Sequence, residues 1–127
     1  MHGVENFHYK NFWGEIKITT DTEKKEFFVT PLKGITPELI KKDLEEAIKF
    51  SKKVQTFDYI VDISNLYFAH PVNFFYLLKL QKIPQLTNHY VISKYRIQRF
   101  FATAFKKFLT IEKVFKSIEE YRSFKLN

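Results

Sequence analysis

Asp62, Ser64 and His70 are the residue types of a hydrolase triad and lie close together in the chain. Ser64, however, is set in Ile63-Ser64-Asn65, without the G-x-S-x-G context that holds a nucleophile on a strained elbow. The simpler reading is that Asp62 and Ser64 bond backbone amides where a strand ends, so no catalytic residue is assigned. His2, His8, His70 and His89 show neither H-x-x-H nor H-E-x-x-H spacing, and no Cys is present to complete a zinc site. His8 and His89 are read as ordinary strand or surface residues, and no metal or cofactor is assigned. Gly3, Gly14 and Gly34 are isolated, which excludes a P-loop.

Two other groupings point to binding rather than catalysis. Phe74, Phe75 and Tyr76 on one predicted helix, and Phe100, Phe101, Phe105 and Phe108 on another, have the spacing that core packing demands. The same rings are candidates to line an apolar pocket. Because Phe74 and Phe75, like Phe100 and Phe101, are adjacent, one of each pair should also point away from the main stripe, as a partner or dimer surface would. Lys94, Arg96 and Arg99 stand where a strand leads into a helix, the edge at which open α/β sheets bind ligands and helix N-termini favour anions. They are candidate anion-binding residues, set against the plainer reading of a solvated basic surface.

These residues need elements to position them. Glu15 to Thr20 and Glu26 to Leu32 are rich in Ile, Thr, Phe and Val and flank polar Asp21 to Lys25, a hairpin signal. Phe7 to Trp13 is left open as an edge strand or a packed arm. Thr36-Pro37-Glu38 supplies a hydroxyl cap, a proline at the first helical position and an early acid, predicting a helix to about Val54. Its buried stripe reads Ile40, Leu44, Ala47, Ile48 and Ser51, opposite Lys41, Lys42, Glu45 and Glu46. Phe57 to Ile63 is nearly continuous in apolar residues, as a strand covered on both faces should be. A helix over Phe74 to Leu80, a strand at Tyr90 to Ser93, a helix from Ile97 to Phe108 and a strand at Lys113 to Phe115 follow. Ser117-Ile118-Glu119-Glu120 is a capping box for a last helix with Ile118 and Tyr121 inward. The order β-β-α-β-α-β-α-β-α predicts a mixed sheet, with a hairpin followed by parallel strands.

A chain of 127 residues fits one domain, and 15 Phe with 7 Tyr are too many for a disordered segment. The net charge of +7 is uneven. Met1 to Leu78 holds 10 basic against 11 acidic residues, Lys79 to Asn127 11 against 3, so an anionic partner would meet the second part. Only 3 of the 21 cations are Arg and no binding motif accompanies them, which disfavours nucleic acid. No apolar run is long enough for a membrane-spanning helix, the first ten residues lack a signal-peptide layout, and the lack of Cys suits a reducing compartment. The expected location is the cytoplasm.

The run from Tyr59 to Phe74, YIVDISNLYFAHPVNF, resembles the STAS domain, the fold of bacterial anti-sigma-factor antagonists. In that family an apolar strand ends in an Asp-Leu-Ser-like step, and a D-S-S-G-L motif opens the next helix. Lys113 to Glu120 resembles the family's final strand, cap and acidic helix start. Carried over position by position, the family's acid falls on His70, its phosphorylatable Ser on Pro71, the next Ser on Val72 and the Gly on Asn73. Proline has no hydroxyl, so the serine switch that the resemblance implies cannot operate at that position. Uncharacterised bacterial proteins with a degenerate STAS-like pattern are similar too, as is the lipid-binding CRAL-TRIO arrangement at the level of fold.

The expectation is a single STAS-like mixed α/β domain over residues 1–127, a non-catalytic regulatory module that binds another protein. Its partner site is placed at His70, Pro71, Val72, Asn73 and Phe74, and its anion site at Lys94, Arg96 and Arg99. A homodimer stays open. The alternative is a small apolar or anionic ligand such as a lipid, which a closed pocket between the aromatic helices would favour over a flat basic-rimmed patch.

Overall fold

In a computed structural model that describes residues 3–69 and 73–126, and only the backbone of 68, 69 and 73–75, three antiparallel strands open the chain. They are β1 (Val4–Lys10), β2 (Glu15–Asp21) and β3 (Glu26–Ile35). The polar stretch between β2 and β3 turns because Asp21 Oδ1 accepts from the amides of Glu23 and Lys24, while Lys25 takes a left-handed φ of 57°. The segment left open at the N-terminus is thus an edge strand, with Phe7 opposite Ile18. Gly14 permits the hairpin to close, since a Cβ there would stand 1.9 Å from the Gly34 carbonyl oxygen.

Helix α1 (Pro37–Ser51) begins where the cap predicts, with Thr36 Oγ1 accepting from the Leu39 amide at 3.4 Å. Its inward stripe is rotated from the expected one. Leu39, Ile40, Asp43, Glu46, Ala47 and Phe50 are buried, whereas Ile48 is exposed. Two acids on the inward side explain the shift, because each finds a phenol: Glu46 bonds Tyr9 and Asp43 bonds Tyr59.

The remaining elements are β4 (Phe57–Asp62), β5 (Leu66–Ala69), α2 (Asn73–Gln81), β6 (Leu86–Ile92), α3 (Arg96–Ala104), β7 (Ile111–Phe115) and α4 (Ile118–Leu126). The sheet order is β1-β2-β3-β4-β6-β7, parallel from β3 onward, and β5 extends it by pairing with the far end of β3. A mixed sheet with a leading hairpin and alternating helices and parallel strands is the class that the sequence implies. β1 and β5 add to the expected order.

Alternation along the strands divides the core in two. One face presents Ile16, Ile18, Phe27, Val29, Phe57 and Tyr59 to α1 and α2. There the rings of Phe27, Phe50, Phe57 and Tyr59 pack at 5.3 to 6.3 Å. The other presents Ile60, Tyr90, Ile92 and Phe115 to Tyr121 of α4. α4 is pinned by polar bonds as well: Tyr121 Oη donates to Glu26 at 2.6 Å, Arg122 bonds the same carboxylate at 2.6 Å, and Lys125 bonds Asp58 at 2.7 Å. Ile118, expected inward, is exposed; the capping bond from the Glu120 amide to Ser117 Oγ turns Tyr121 in instead.

Candidate functional site

The face of the sheet that carries α1 and α2 is not completely filled. Between α1, α2 and α3 lies a half-open cavity of about 350 Å³, floored by residues such as Val29, Tyr59, Val61 and Val91. Leu77 of α2 walls it on one side, and Phe101 of α3 and Phe105 at its C-cap line the other. This volume is near the small end for small-molecule sites, and the lining is apolar as such sites require.

Three polar side chains interrupt that lining near the floor and rim: Asp43, His89 and Gln98. Gln98 is fully committed, bonding Ser93 Oγ through its amide oxygen and the Leu66 carbonyl through its amide nitrogen at 3.2 Å. Asp43 is only 1% exposed; Oδ2 accepts from Tyr59 Oη at 2.5 Å, and Oδ1 has no partner among the described residues. Burial pushes its carboxyl up to about 7, against the opposing effect of the Tyr59 bond. The Tyr59 hydroxyl is likewise driven well above its ordinary value by burial and by Asp43.

His89 is 3% exposed, and its ring meets that of Tyr59 edge-on at 5.2 Å. Nδ1 lies 3.0 Å from the Leu109 carbonyl oxygen, while Nε2 has no partner among the described residues. Burial lowers its pKa, which keeps the ring neutral. Of the two readings given for His89, the strand holds and the surface does not: it sits in the middle of β6, buried and lining the cavity. Neither Asp43 nor His89 carries a motif. The available signal was an acid and an imidazole at positions where the apolar period demands a hydrophobe.

The cavity's roof is unusual for a helix. α3 buries none of its residues. Phe100 and Phe108, in and just after it, are each 68% exposed, and Tyr95 and Ile97 are exposed beside them. The expected Phe-rich core at this helix is not formed: Phe101 and Phe105 line the rim of a half-open cavity and are themselves 53% and 48% exposed. Lys94 lies in the loop before α3 with Nζ 5.2 Å from the Tyr95 ring centre, Arg96 is exposed at the first helical position, and Arg99 bonds the Ser93 carbonyl at 2.9 Å. The loop is held from below by Ser64, whose Oγ accepts from the Lys94 amide at 3.0 Å, while Asp62 Oδ1 accepts from the Ser64 amide at 3.0 Å. Both side chains are thus engaged in shaping a strand end. His70, Pro71 and Val72 lie outside the described residues, and Asn73 and Phe74 open α2 at the level of the backbone.

The fold has counterparts among solved structures. An uncharacterised DUF3478-family protein with a SpoIIAA-like fold from Shewanella loihica superposes with a TM-score of 0.59, at 13% identity, over 91% of this chain and 86% of that one. The fold is SpoIIAA-like. Apo-SiaC from Pseudomonas aeruginosa matches with a TM-score of 0.54 at 9% identity, over 89% of this chain and 99% of that one. No family model and no curated protein sequence matches the chain. The STAS resemblance read from Tyr59 to Phe74 accordingly holds at the level of fold.

Proposed function

We propose that this protein is a non-catalytic regulatory module of STAS-like type that binds another protein through the outer surface of α3. The observation that carries this reading is the exposure of Phe100 on a helix with no buried residue and of Phe108 just after it, beside the exposed cations Lys94, Arg96, Lys106 and Lys107. Aromatic anchors rimmed by charge fit a protein surface, and the sign of the rim fits an acidic one. His70, Pro71, Val72, Asn73 and Phe74 are proposed as a second part of that surface, with Lys94, Arg96 and Arg99 supplying its anion-recognising side. With Pro71 at the family's serine position, control by phosphorylation there is not part of the mechanism. A cytoplasmic setting accords with the Cys-free sequence, and no helix of the described residues is long and apolar enough to cross a membrane.

Photo-crosslinking in the cells of origin tests this. A crosslinker placed at Phe100 should capture one stoichiometric protein, lost on R96E, whereas one at Lys24 in the opposite β2–β3 turn should not. Equal capture from both positions would refute the assignment.

The cavity favours a second reading, a small ligand held beneath α3. The two are compatible, since one helix presents its outer side to a partner and its inner side to the cavity.

A further inference from the structure

The cavity has a polarity of its own that says what it can hold. The Leu109 carbonyl oxygen can only accept, so the His89 proton sits on Nδ1, and in the neutral ring Nε2 offers a bare lone pair. Asp43 Oδ1, the second polar atom without a partner among the described residues of the lining, belongs to a carboxyl whose other oxygen already accepts from Tyr59, so the proton that burial helps it keep sits on Oδ1, which can then donate as well as accept. Buried polar atoms are satisfied in nearly all folded proteins, so two on one apolar cavity mark where a ligand's polar end goes. Among the described residues no Lys or Arg lines the cavity, and none there would compensate a buried negative charge.

We infer that the cavity binds a small, mostly apolar molecule whose polar end, an alcohol or an amine, donates a hydrogen bond to His89 Nε2, with Asp43 Oδ1 as the second polar atom open to it. This deepens the second reading above and removes its anionic option, because a fatty-acid carboxylate or a phosphate would set its lone pairs against that of His89 Nε2. Phe101 and Phe105 cover the apolar body, and Leu77 flanks it. The basic residues around α3 lie outside the cavity lining and take no part in this recognition.

Titration of the full-length protein with octan-1-ol, octylamine and octanoate, followed by amide NMR shifts and calorimetry, tests the inference. The expected result is that the alcohol or the amine shifts the amides of β4, β6 and α3, with octanoate at least about tenfold weaker. His89→Leu, checked for a retained fold by its spectrum, should bring the three probes within about threefold of one another. Ala102→Trp, which fills the space from α3, should remove all binding. Octanoate binding as tightly as the other two would overturn the donor assignment while leaving a ligand cavity. Shifts that survive Ala102→Trp, or the absence of shifts with every probe, would overturn the cavity itself.

Discussion

Asp43 is an acid on the inward stripe of a helix, one turn from Ile40 and another from Ala47, where an apolar residue would be expected. Its folded pKa near 7 lies above the roughly 3.9 of an unfolded aspartate, so the native state holds this proton longer than the unfolded one. Linkage then gives the sign: the contribution to stability is complete below about pH 4 and is lost as pH rises toward 7, at a cost on the order of a few kcal/mol. Asp43→Asn keeps an acceptor for Tyr59 without the titration. Its melting temperature should exceed that of the natural protein by a margin that widens between pH 5 and pH 8. A margin flat across that range would mean that the carboxyl does not titrate with folding. Residue by residue, the site was poorly legible in advance. Asp62 and Ser64 attracted notice through their chemistry and proved to be strand-end bonds, whereas Asp43 and His89 carry no motif, and their significance comes from burial that periodicity alone does not reveal.

Elements were more legible than residues, in proportion to how local their signals are. The cap at Thr36 and the turn at Asp21 act over three or four residues and were readable directly. β5 is four residues long and exists only because β3 extends past β4 to receive it, a non-local cause. α3 shows a strong amphipathic period, but periodicity does not say whether the apolar side meets packed side chains or a cavity. Its lack of any buried residue, against seven in α1, makes it the least anchored helix among the described residues. Hydrogen exchange should find its amides opening well before those of α1 and β4, with rates that approach each other only on global unfolding. Equal protection would show that the roof is as firmly held as the core. At the hairpin the constraint is the reverse. Gly14→Ala would drive a methyl into the Gly34 carbonyl, and a loss of about 1 to 3 kcal/mol in chemical denaturation is expected, with little loss if the hairpin can splay.

At the scale of the whole molecule, the topology brings several of its exposed rings to one edge. The β1–β2 turn with Phe12 and Trp13, the β5 residue Tyr67, and Tyr95 before α3 all lie where the parallel strands end. α3 runs down from this edge with Ile97 and Phe100, and Phe108 follows it toward the start of β7, whereas the opposite end of the sheet carries the polar β2–β3 turn. So asymmetric a distribution of large apolar side chains is what an interaction surface looks like before it is covered. Replacing Phe100 and Phe108 by Ser removes two rings that touch no core cluster, so the folded state should lose no more than about 0.5 kcal/mol per site. Solution behaviour, by contrast, should change. If the edge mediates self-association, sedimentation of the natural protein should shift with concentration and that of the double variant should not. If it receives a different protein, both forms should sediment alike as monomers, and only capture of the partner should fall. A double variant that melts far earlier than the natural protein would show instead that these rings stabilise the fold, and the surface assigned to α3 would then have to be given up.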